Sequence, residues 1–382
     1  MKIFISAVSA KMGGAANYMK EVAAQLARLS TGDEFIFLVP PEQVAAIESL
    51  FPAAEVMGTE IAHASFWKRI WFDQVTLPRI LREREIDCLF STADFGVLRS
   101  PCRQVLLVRN SIYFFEMYLR RFAPARPWKE RLLGAFRRWL VCRSVRAADV
   151  VMTPSQAMMD ELRRWVAVPE SKAFVNHYGV NPGRFRGPGP QSARDGRTLL
   201  FTSLYTEHKN MGTLLAAVKM LADSGFPCKL LTTAGPLWEG PPRTSIRAQE
   251  AALFEELRER GLVEFPGVVS DAASLYGRGD LFVYPSVVES FGHPLVEAMS
   301  AGLPIVAADM PINRELAGDA ALYFPPFAAE KFAAAIRAVL EDPQLRYDLV
   351  RKGRERGRNF SWQQHLDRLL DRMGAVHAEL VK

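Results

Sequence analysis

The sequence of 382 residues is poor in the features that define disulfide-rich, zinc-binding and membrane-spanning proteins. It contains four cysteines, at positions 88, 102, 142 and 228, and no two of them form a Cys-x-x-Cys pair. This spacing indicates neither a zinc site nor a disulfide framework, and it is typical of a protein in a reducing compartment. No apolar run approaches the roughly 20 residues that a membrane-spanning helix requires, so we expect a cytoplasmic location.

Two ligand-binding motifs are also missing. The chain has no Gly-x-Gly-x-x-Gly, which argues against a dinucleotide-dependent oxidoreductase. It has no Asp-x-Asp, so a metal-chelated diphosphate is not indicated, and the six histidines show no metal-ligand spacing. We therefore expect neither a metal ion nor a bound cofactor.

The first residues allow two interpretations. Met1-Lys2 and the apolar run from Ile3 to Ala10 could begin a signal peptide. The run is short, however, and Gly13-Gly14 and an amphipathic pattern follow it at once. We predict a buried first strand.

Short apolar runs alternate with helical patterns in two successive blocks. The predicted strands are residues 3–7, 34–39, 88–91, 105–108 and 150–153 in the first block, and 199–204, 230–234, 263–269, 281–285, 304–308 and 321–324 in the second. Glycine and proline concentrate between the blocks. We predict an α/β fold with an N-terminal domain (1–180), a linker (181–196) and a C-terminal domain (197–359), while a helix within 360–382 packs back on the first domain. Two doubly wound domains facing across a cleft commonly bind a small molecule.

Positive charge is concentrated in one segment. The net charge is +6, and residues 119–146 hold nine basic residues and one acidic residue, so the remainder of the chain is slightly acidic. Tryptophans 128 and 139 lie within this segment, and arginine with aromatic side chains can rest on an anionic bilayer. A peripheral membrane contact and a solvated helix face remain equal alternatives. We expect no nucleic-acid partner, because no recognised nucleic-acid module is present.

The stretch from Glu289 to Glu297 carries the strongest functional signal. An apolar strand precedes it, Pro294 suits the start of a helix, and Gly302 suits its end. The backbone N–H groups near Gly292 would then bind an anion at the helix N-terminus. The two carboxylates would accept hydrogen bonds from hydroxyl groups, and a sugar nucleotide supplies both kinds of group. The alternative is that Glu297 is an ordinary helix residue and Glu289 a solvated loop residue.

The run ESFGHPLVEAMSAGLPIVAAD closely resembles the donor-site motif of glycosyltransferase family 4, which comprises retaining enzymes of the GT-B fold. Weaker similarities lie at Gly13-Gly14, Thr153-Pro154-Ser155, Gly179-Val180-Asn181 and His208-Lys209-Asn210. The resemblance implies that Glu297 binds the ribose hydroxyls and that Glu289 faces the transferred sugar. It also implies that Phe291-Gly292 lies against sugar and phosphate. His293 lies inside the motif and is a donor-binding candidate, with the ordering of the loop as the alternative role.

Lys209 is the second catalytic candidate, because an ammonium there could neutralise the leaving diphosphate. Family members often have an arginine six residues earlier, where this chain has Ser203. Either another base, such as His208 or Arg184, compensates, or charge neutralisation is weaker. Gly13 and Gly14 could bring backbone donors to phosphate, although tight turns need glycine too.

The acceptor side departs from the resembled pattern. Many relatives have a sugar-contacting histidine after the strand predicted at 105–108, and here Arg109 and Asn110 stand near that point. They are candidate acceptor-side residues, and a strand-end arginine paired with a carboxylate is the alternative.

The resemblance implies a hexosyltransferase-type enzyme that moves a sugar from a GDP or UDP sugar to an acceptor hydroxyl. The acceptor would be a glycan or a lipid-linked molecule in polysaccharide, lipopolysaccharide or glycolipid assembly, reached at the inner face of the cell membrane if the basic segment binds there. Two alternatives stay open. One is a catalytically silent sugar-nucleotide-binding partner in a larger complex, and the other is a GT-B epimerase or phosphorylase.

Overall fold

A seven-stranded parallel sheet organises the first part of the chain. The structure, a computed structural model, describes residues 1–11, 13–29, 32–185, 196–235, 245–267, 269, 271 and 273–378. The strands are β1 (Lys2–Ser6), β2 (Glu34–Val39), β3 (Glu55–Gly58), β4 (Cys88–Ser91), β5 (Arg103–Leu107), β6 (Val150–Thr153) and β7 (Ala173–Val175). They lie in the order β3-β2-β1-β4-β5-β6-β7. The sequential order reverses beside β1, as in doubly wound sheets.

A second parallel sheet has six strands. These are β8 (Thr198–Phe201), β9 (Lys229–Thr232), β10 (Val263–Glu264), β11 (Leu281–Tyr284), β12 (Ile305–Ala308) and β13 (Leu322–Phe324). Their order is β10-β9-β8-β11-β12-β13, with the reversal between β8 and β11. All four residues of β11 and of β12 are buried, as expected for parallel strands that are covered on both faces.

Helices connect these strands. They are α1 (Gly13–Leu26), α2 (Pro41–Leu50), α3 (Phe66–Trp71), α4 (Leu77–Glu83), α5 (Glu116–Arg121), α6 (Trp128–Ala147), α7 (Gln156–Arg163), α8 (Met211–Asp223), α9 (Ser245–Glu259), α10 (Ala273–Tyr276), α11 (His293–Ala301), α12 (Pro311–Ala317), α13 (Ala329–Glu341), α14 (Pro343–Gly357) and α15 (Trp362–Ala378). Short 3₁₀ turns occur at Glu60–His63, Ser111–Tyr113, Ala123–Ala125, Pro182–Arg184 and Glu207–Lys209, and a π-helical turn joins α3 to α4 at Phe72–Thr76.

Contacts divide the chain into two compact units. Unit 1 comprises Met1–Phe114, Leu132–Gly179 and Trp362–Lys382, and unit 2 comprises Phe115–Arg131 and Val180–Ser361. This division differs from the predicted domains in one segment, because Phe115–Arg131 groups with the second sheet. We call this segment the strap. Of the predicted linker, residues 186–195 lie outside the described residues.

The last helix belongs to unit 1, where α15 packs against α1. The Tyr18 hydroxyl lies 3.0 Å from Nε2 of His365, and the Asn176 amide donates to the His365 carbonyl at 2.9 Å. Gly179 permits the return of the chain, because a Cβ atom there would come within 2.1 Å of the Trp362 nitrogen. These buried contacts hold α15 against the first sheet.

The prediction of a strand at 263–269 is wrong for residues 265–267 and 269, since β10 has only two residues, and residue 268 lies outside the described residues. Pro266 lacks an N–H to donate to a neighbouring strand, and Gly267 has a positive φ of 73°. The first-strand prediction is confirmed by β1, which lies inside the sheet between β2 and β4.

Candidate functional site

Two loops meet at the carboxyl edge of the second sheet. One follows β8 and ends in the 3₁₀ turn Glu207–Lys209, and the other follows β11 and leads into α11. The Val287 N–H donates to the His208 carbonyl at 3.1 Å, and the Asn210 side chain donates to the Pro285 carbonyl at 3.2 Å. Because β8 and β11 flank the point where strand order reverses, these loops form the crevice where such sheets bind ligands.

Lys209 and Glu289 form an ion pair across this crevice. Lys209 Nζ lies 2.6 Å from Glu289 Oε1, and the two side chains are 17% and 12% exposed. The Tyr284 hydroxyl donates to the same carboxylate oxygen at 2.8 Å. Burial alone would raise the pKa of Glu289, but the Lys209 ammonium, and then the Tyr284 hydroxyl, hold that pKa below its usual range. Glu289 is therefore an ionised, partnered carboxylate, which excludes the solvated-loop interpretation.

Asn210 sets the direction of Lys209. It adopts a left-handed conformation (φ 57°, ψ 41°) at the start of α8, and its side-chain oxygen accepts from the Thr213 hydroxyl at 2.7 Å. Asparagine tolerates this backbone region better than most residues. Together with the hydrogen bond to the Pro285 carbonyl, this conformation fixes the turn that carries Lys209. The sequence analysis assigned no role to Asn210.

His208 is a neutral residue beside the ion pair. Burial first, and the neighbouring Lys209 charge second, lower the pKa of His208 to about 4. Its Nε2 lies 3.2 Å from the Thr206 hydroxyl, and its ring meets the edge of Tyr118 with centroids 5.8 Å apart. His208 therefore carries no positive charge at neutral pH, and it cannot supply the charge of the absent arginine.

Gly292 begins α11 in the left-handed region, with φ 94° and ψ 54°. A Cβ atom at this position would lie 3.0 Å from the Tyr284 hydroxyl, so a side chain would crowd the group that holds Glu289. Phe291 is buried, and its ring packs against His293 and Phe360 at centroid distances of 5.1 and 5.9 Å. The start of α11 thus lies beside the ion pair, where the positive end of the helix dipole suits an anion.

Glu297 lies on the second turn of α11 and is half-buried. The Tyr276 hydroxyl donates to Glu297 Oε2 at 2.6 Å and lies 2.9 Å from the Thr202 hydroxyl. Burial raises the pKa of Glu297 above its usual range, against the Tyr276 hydrogen bond and the positive charge of Arg184, which lower it. Tyr276, which the sequence analysis did not single out, positions this carboxylate.

Ser203 does not replace the absent arginine. Its hydroxyl donates to the Leu204 carbonyl at 3.0 Å, and its N–H donates to the Thr233 hydroxyl at 3.0 Å. A further cation, Arg126 of the strap, lies beside the turn Glu207–Lys209, 2.9 Å from Oε2 of the buried Glu207. The sequence analysis counted Arg126 only as part of a basic face, because nothing local links it to a residue 81 positions away.

The remaining candidates belong to unit 1. Gly13 has a positive φ of 63°, and open space surrounds Gly14. The backbone N–H groups of Arg109 and Asn110 both donate to Oδ1 of buried Asp94, at 2.7 and 2.9 Å. Burial raises the pKa of Tyr178, and the positive charge of Arg109 opposes that rise. The carboxyl edge of the first sheet therefore presents Gly13 and Gly14 after β1, and Arg109 and Asn110 after β5.

Two family models match the chain in succession. Residues 12–184 match the model described as Glycosyltransferase Family 4, and residues 189–356 match the model described as Glycosyl transferases group 1. The chain belongs to glycosyltransferase family 4. The boundary between the two matched ranges, from 184 to 189, falls at the predicted linker.

Individual relatives agree with this family 4 assignment. A phosphatidyl-myo-inositol mannosyltransferase of Mycolicibacterium smegmatis is 37% identical over 216 residues, which are 54% of this chain and 53% of that protein. The match therefore spans about half the length of this curated relative. Sucrose-phosphate synthase of Thermosynechococcus elongatus has a TM-score of 0.74 at 19% identity, over 100% of this chain and 99% of its own. The Anabaena protein HepE, solved with UDP and glucose, has a TM-score of 0.71 at 15% identity, over 97% and 99%. The GT-B fold prediction is confirmed.

Within the described part of this family 4 chain, no group of three His, Cys, Asp or Glu side chains could hold a metal ion. Over the same residues, no helix is long and apolar enough to cross a membrane.

Proposed function

We propose that the protein is a retaining glycosyltransferase that moves a sugar from a nucleotide-diphosphate sugar to an acceptor hydroxyl. The observation that carries the proposal is the buried Lys209–Glu289 pair, which lies beside the first turn of α11 at the carboxyl edge of the second sheet. A cation and the positive end of a helix dipole suit a diphosphate, and carboxylates suit sugar hydroxyls. The Anabaena neighbour was solved with UDP and glucose, which supports a nucleotide sugar as the donor, of the UDP or GDP type.

Each carboxylate has its own proposed role. Glu297, held by the Tyr276 hydroxyl, accepts hydrogen bonds from the ribose hydroxyls. Glu289 accepts from hydroxyls of the transferred sugar, while Phe291 and Gly292 let the sugar and phosphate approach the backbone. Oε1 of Glu289 already binds the Lys209 ammonium and the Tyr284 hydroxyl, which favours an orienting role over that of a nucleophile.

The proposed chemistry is a front-face substitution. The bond between the anomeric carbon and the phosphate oxygen breaks, and its electron pair goes to the phosphate. The acceptor oxygen bonds to the same face of the sugar, and its proton passes to the leaving phosphate oxygen. Lys209 and the amino end of α11 stabilise the charge that develops on the diphosphate, so we propose that the reaction requires no metal ion or cofactor.

The acceptor is proposed to be a glycan or lipid-linked molecule in polysaccharide, lipopolysaccharide or glycolipid assembly. The names of the relatives support this class, since they include a phosphatidyl-myo-inositol mannosyltransferase and O-antigen chain mannosyltransferases. We place Arg109 and Asn110 on the acceptor side. We propose a cytoplasmic location with peripheral contact to the inner face of the cell membrane.

Donor turnover tests the function. Purified protein is incubated with UDP-glucose and with GDP-mannose, and released nucleotide diphosphate is measured with and without a membrane-lipid extract as acceptor. NMR of the product should show that the anomeric configuration of the donor is retained. Glu289→Ala should abolish turnover, whereas Glu341→Ala, which removes an exposed ion-pair partner of Arg337 on α13, should leave it unchanged. An inverted product would refute the mechanism.

The same assay separates the rival function of a silent sugar-nucleotide-binding partner. One observation favours that rival: Ser203 stands where many relatives have an arginine, and its hydroxyl donates to the Leu204 carbonyl of its own loop. Tight binding of nucleotide sugar in calorimetry, with no turnover of any donor in the presence of the lipid extract, would establish it.

A further inference from the structure

Three of the exposed tryptophans of unit 1 lie on two neighbouring helices. Trp67 and Trp71 on α3 are each 62% exposed, and Trp139 on α6 is 53% exposed. Large aromatic side chains dominate buried cores because they gain so much from leaving water, so this exposure is costly. Leu132, on the same helix as Trp139, is 61% exposed. Scattered single exposures need no explanation, but a contiguous apolar patch marks an interaction site.

Ring contacts join the two helices into one surface. The Trp67 and Phe136 ring centroids are 5.3 Å apart, and those of Phe136 and Trp139 are 5.5 Å apart in a stacked arrangement. The Phe66 ring lies 6.2 Å from Phe136, and the Arg137 guanidinium lies over it at 4.8 Å. These contacts are all within unit 1. We call the surface formed by Trp67, Trp71, Leu132, Phe136 and Trp139 the tryptophan face.

Positive charge continues the tryptophan face along α6. Helical spacing puts Leu132, Phe136, Trp139, Arg143 and Arg146 on one stripe, because residues three and four apart are neighbours on a helix. Residues 132–147 contain four arginines and no acidic residue, and Lys68 lies between the two tryptophans of α3. Arg143 and Arg146 are exposed, whereas Leu140, Val141 and Val145 of the same helix are buried.

The basic segment predicted from the sequence, 119–146, is divided by the structure. Its first part lies in the strap, where Arg126 is paired with Glu207, Arg121 lies over the Phe327 ring and Arg120 pairs with Glu116. These arginines already have protein partners in unit 2. Arg143 and Arg146 lie outside the strap, in unit 1, and the apolar surface that continues their stripe includes α3, which the sequence analysis did not connect with the basic segment.

We propose that the tryptophan face, together with Arg143 and Arg146, docks on an anionic lipid bilayer. Tryptophan is enriched where protein meets the headgroup region, because its ring is apolar and its N–H is polar. Arginines beside it meet the negative surface potential of anionic lipid. A protein partner would fit this face only if it supplied both an apolar and an acidic surface. This docking would bring the enzyme to a lipid-linked acceptor, and only in this respect does it rest on the proposed function.

Vesicle binding of the full chain tests the proposal. Phosphatidylcholine vesicles with and without phosphatidylglycerol are sedimented at low salt, and bound protein is measured. We expect binding to the anionic vesicles alone, weakened by salt. Arg143→Gln with Arg146→Gln should weaken it about 25-fold, since each basic residue near such a surface contributes about fivefold. Vesicle binding should also shift the tryptophan fluorescence to the blue. Trp67→Ala with Trp71→Ala should abolish that shift and most of the binding.

A control variant changes an aromatic residue and an arginine elsewhere. Tyr347→Ala with Arg351→Gln removes an exposed aromatic ring and an exposed arginine from α14 in unit 2, and it should bind vesicles like the wild type. All variants are checked for an unchanged melting temperature and for lipid-free donor turnover. Wild-type protein that turns over donor but binds no anionic vesicle would overturn the proposal and leave the function intact. Lipid-free self-association that the tryptophan double variant abolishes would overturn it too, since a second copy would then cover the face.

Discussion

Replacing Lys209 with methionine should destabilise the protein far more than replacing both members of its ion pair. At a separation of 2.6 Å the pair attracts by about 6 kcal/mol at an effective dielectric constant of about 20. The cost of removing both charges from water is of similar size, so the net contribution of the pair is small. Lys209→Met leaves a buried carboxylate without its cation, and we expect a loss of about 3 kcal/mol in the free energy of unfolding. Lys209→Met with Glu289→Gln should recover most of that loss.

The pH dependence provides a second readout of this pair. The pKa of Glu289 in the folded protein is lower than the ordinary 4.5. A carboxyl group of this kind contributes stability that is fully present above its unfolded pKa and is lost as the pH falls through its folded pKa. Wild-type stability should therefore fall on acidification below about 4.5 by an increment that Lys209→Met lacks. In Lys209→Met burial raises the pKa of Glu289, so protonation at acidic pH should recover part of the lost free energy of unfolding.

The assay is urea unfolding followed by tryptophan fluorescence, at neutral pH and at several acidic pH values. The exposed pair Lys219–Glu256, in which the side chains are 38% and 45% exposed, supplies the control. Lys219→Met should cost less than about 1 kcal/mol, as exposed pairs do. The reasoning is refuted if Lys209→Met costs no more than the control, or if the effects of Lys209→Met and Glu289→Gln simply add.

Three further predictions concern single groups in the same crevice. Gly292→Ala should lower the free energy of unfolding by about 1–2 kcal/mol because of its positive φ, and it should also lower donor turnover. Gly261→Ala, at a φ of 71° in open space, should cost the same stability and leave turnover unchanged. Equal turnover in the two variants would contradict the crowding at Tyr284. Glu297→Gln should raise the KM for donor about 10- to 100-fold, the value of a hydrogen bond to a charged group, with a smaller change in kcat, and a loss confined to kcat would argue against ribose binding. The pKa of about 4 for His208 predicts that kcat/KM shows no His208 titration near pH 6.5, and an inflection there that His208→Gln removes would refute this.

The sequence predicts the parts of the site whose residues lie close together along the chain. Glu289, Gly292 and Glu297 follow one apolar strand and surround the start of one helix, so turn and helix rules place them without knowledge of distant contacts. Lys209 required the resemblance as well, because a lysine after a strand is ordinary by itself.

The parts that the sequence does not predict depend on distant residues. Tyr276 reaches Glu297 across 21 positions and Arg126 reaches Glu207 across 81, and no periodic pattern encodes such pairs. The two strands that the sequence analysis missed, β3 and β7, are the outer strands of the first sheet and are short and only partly buried. A strand that is covered on one side needs no continuous apolar run, so its signal is weak.

The strap makes this protein hard to divide by genetic engineering. A fragment that begins at Val180 and ends at Ser361 contains all six strands of the second sheet and yet omits Phe115–Arg131. In that fragment Glu207, 8% exposed in the whole chain, would lose the guanidinium of Arg126, and Phe327 would lose its contact with Arg121. We expect the fragment to be less stable than one in which residues 115–131 are fused to it through a flexible linker. The gene for this chain thus encodes two sheets in sequence, but its protein cannot be cut into them at a single point.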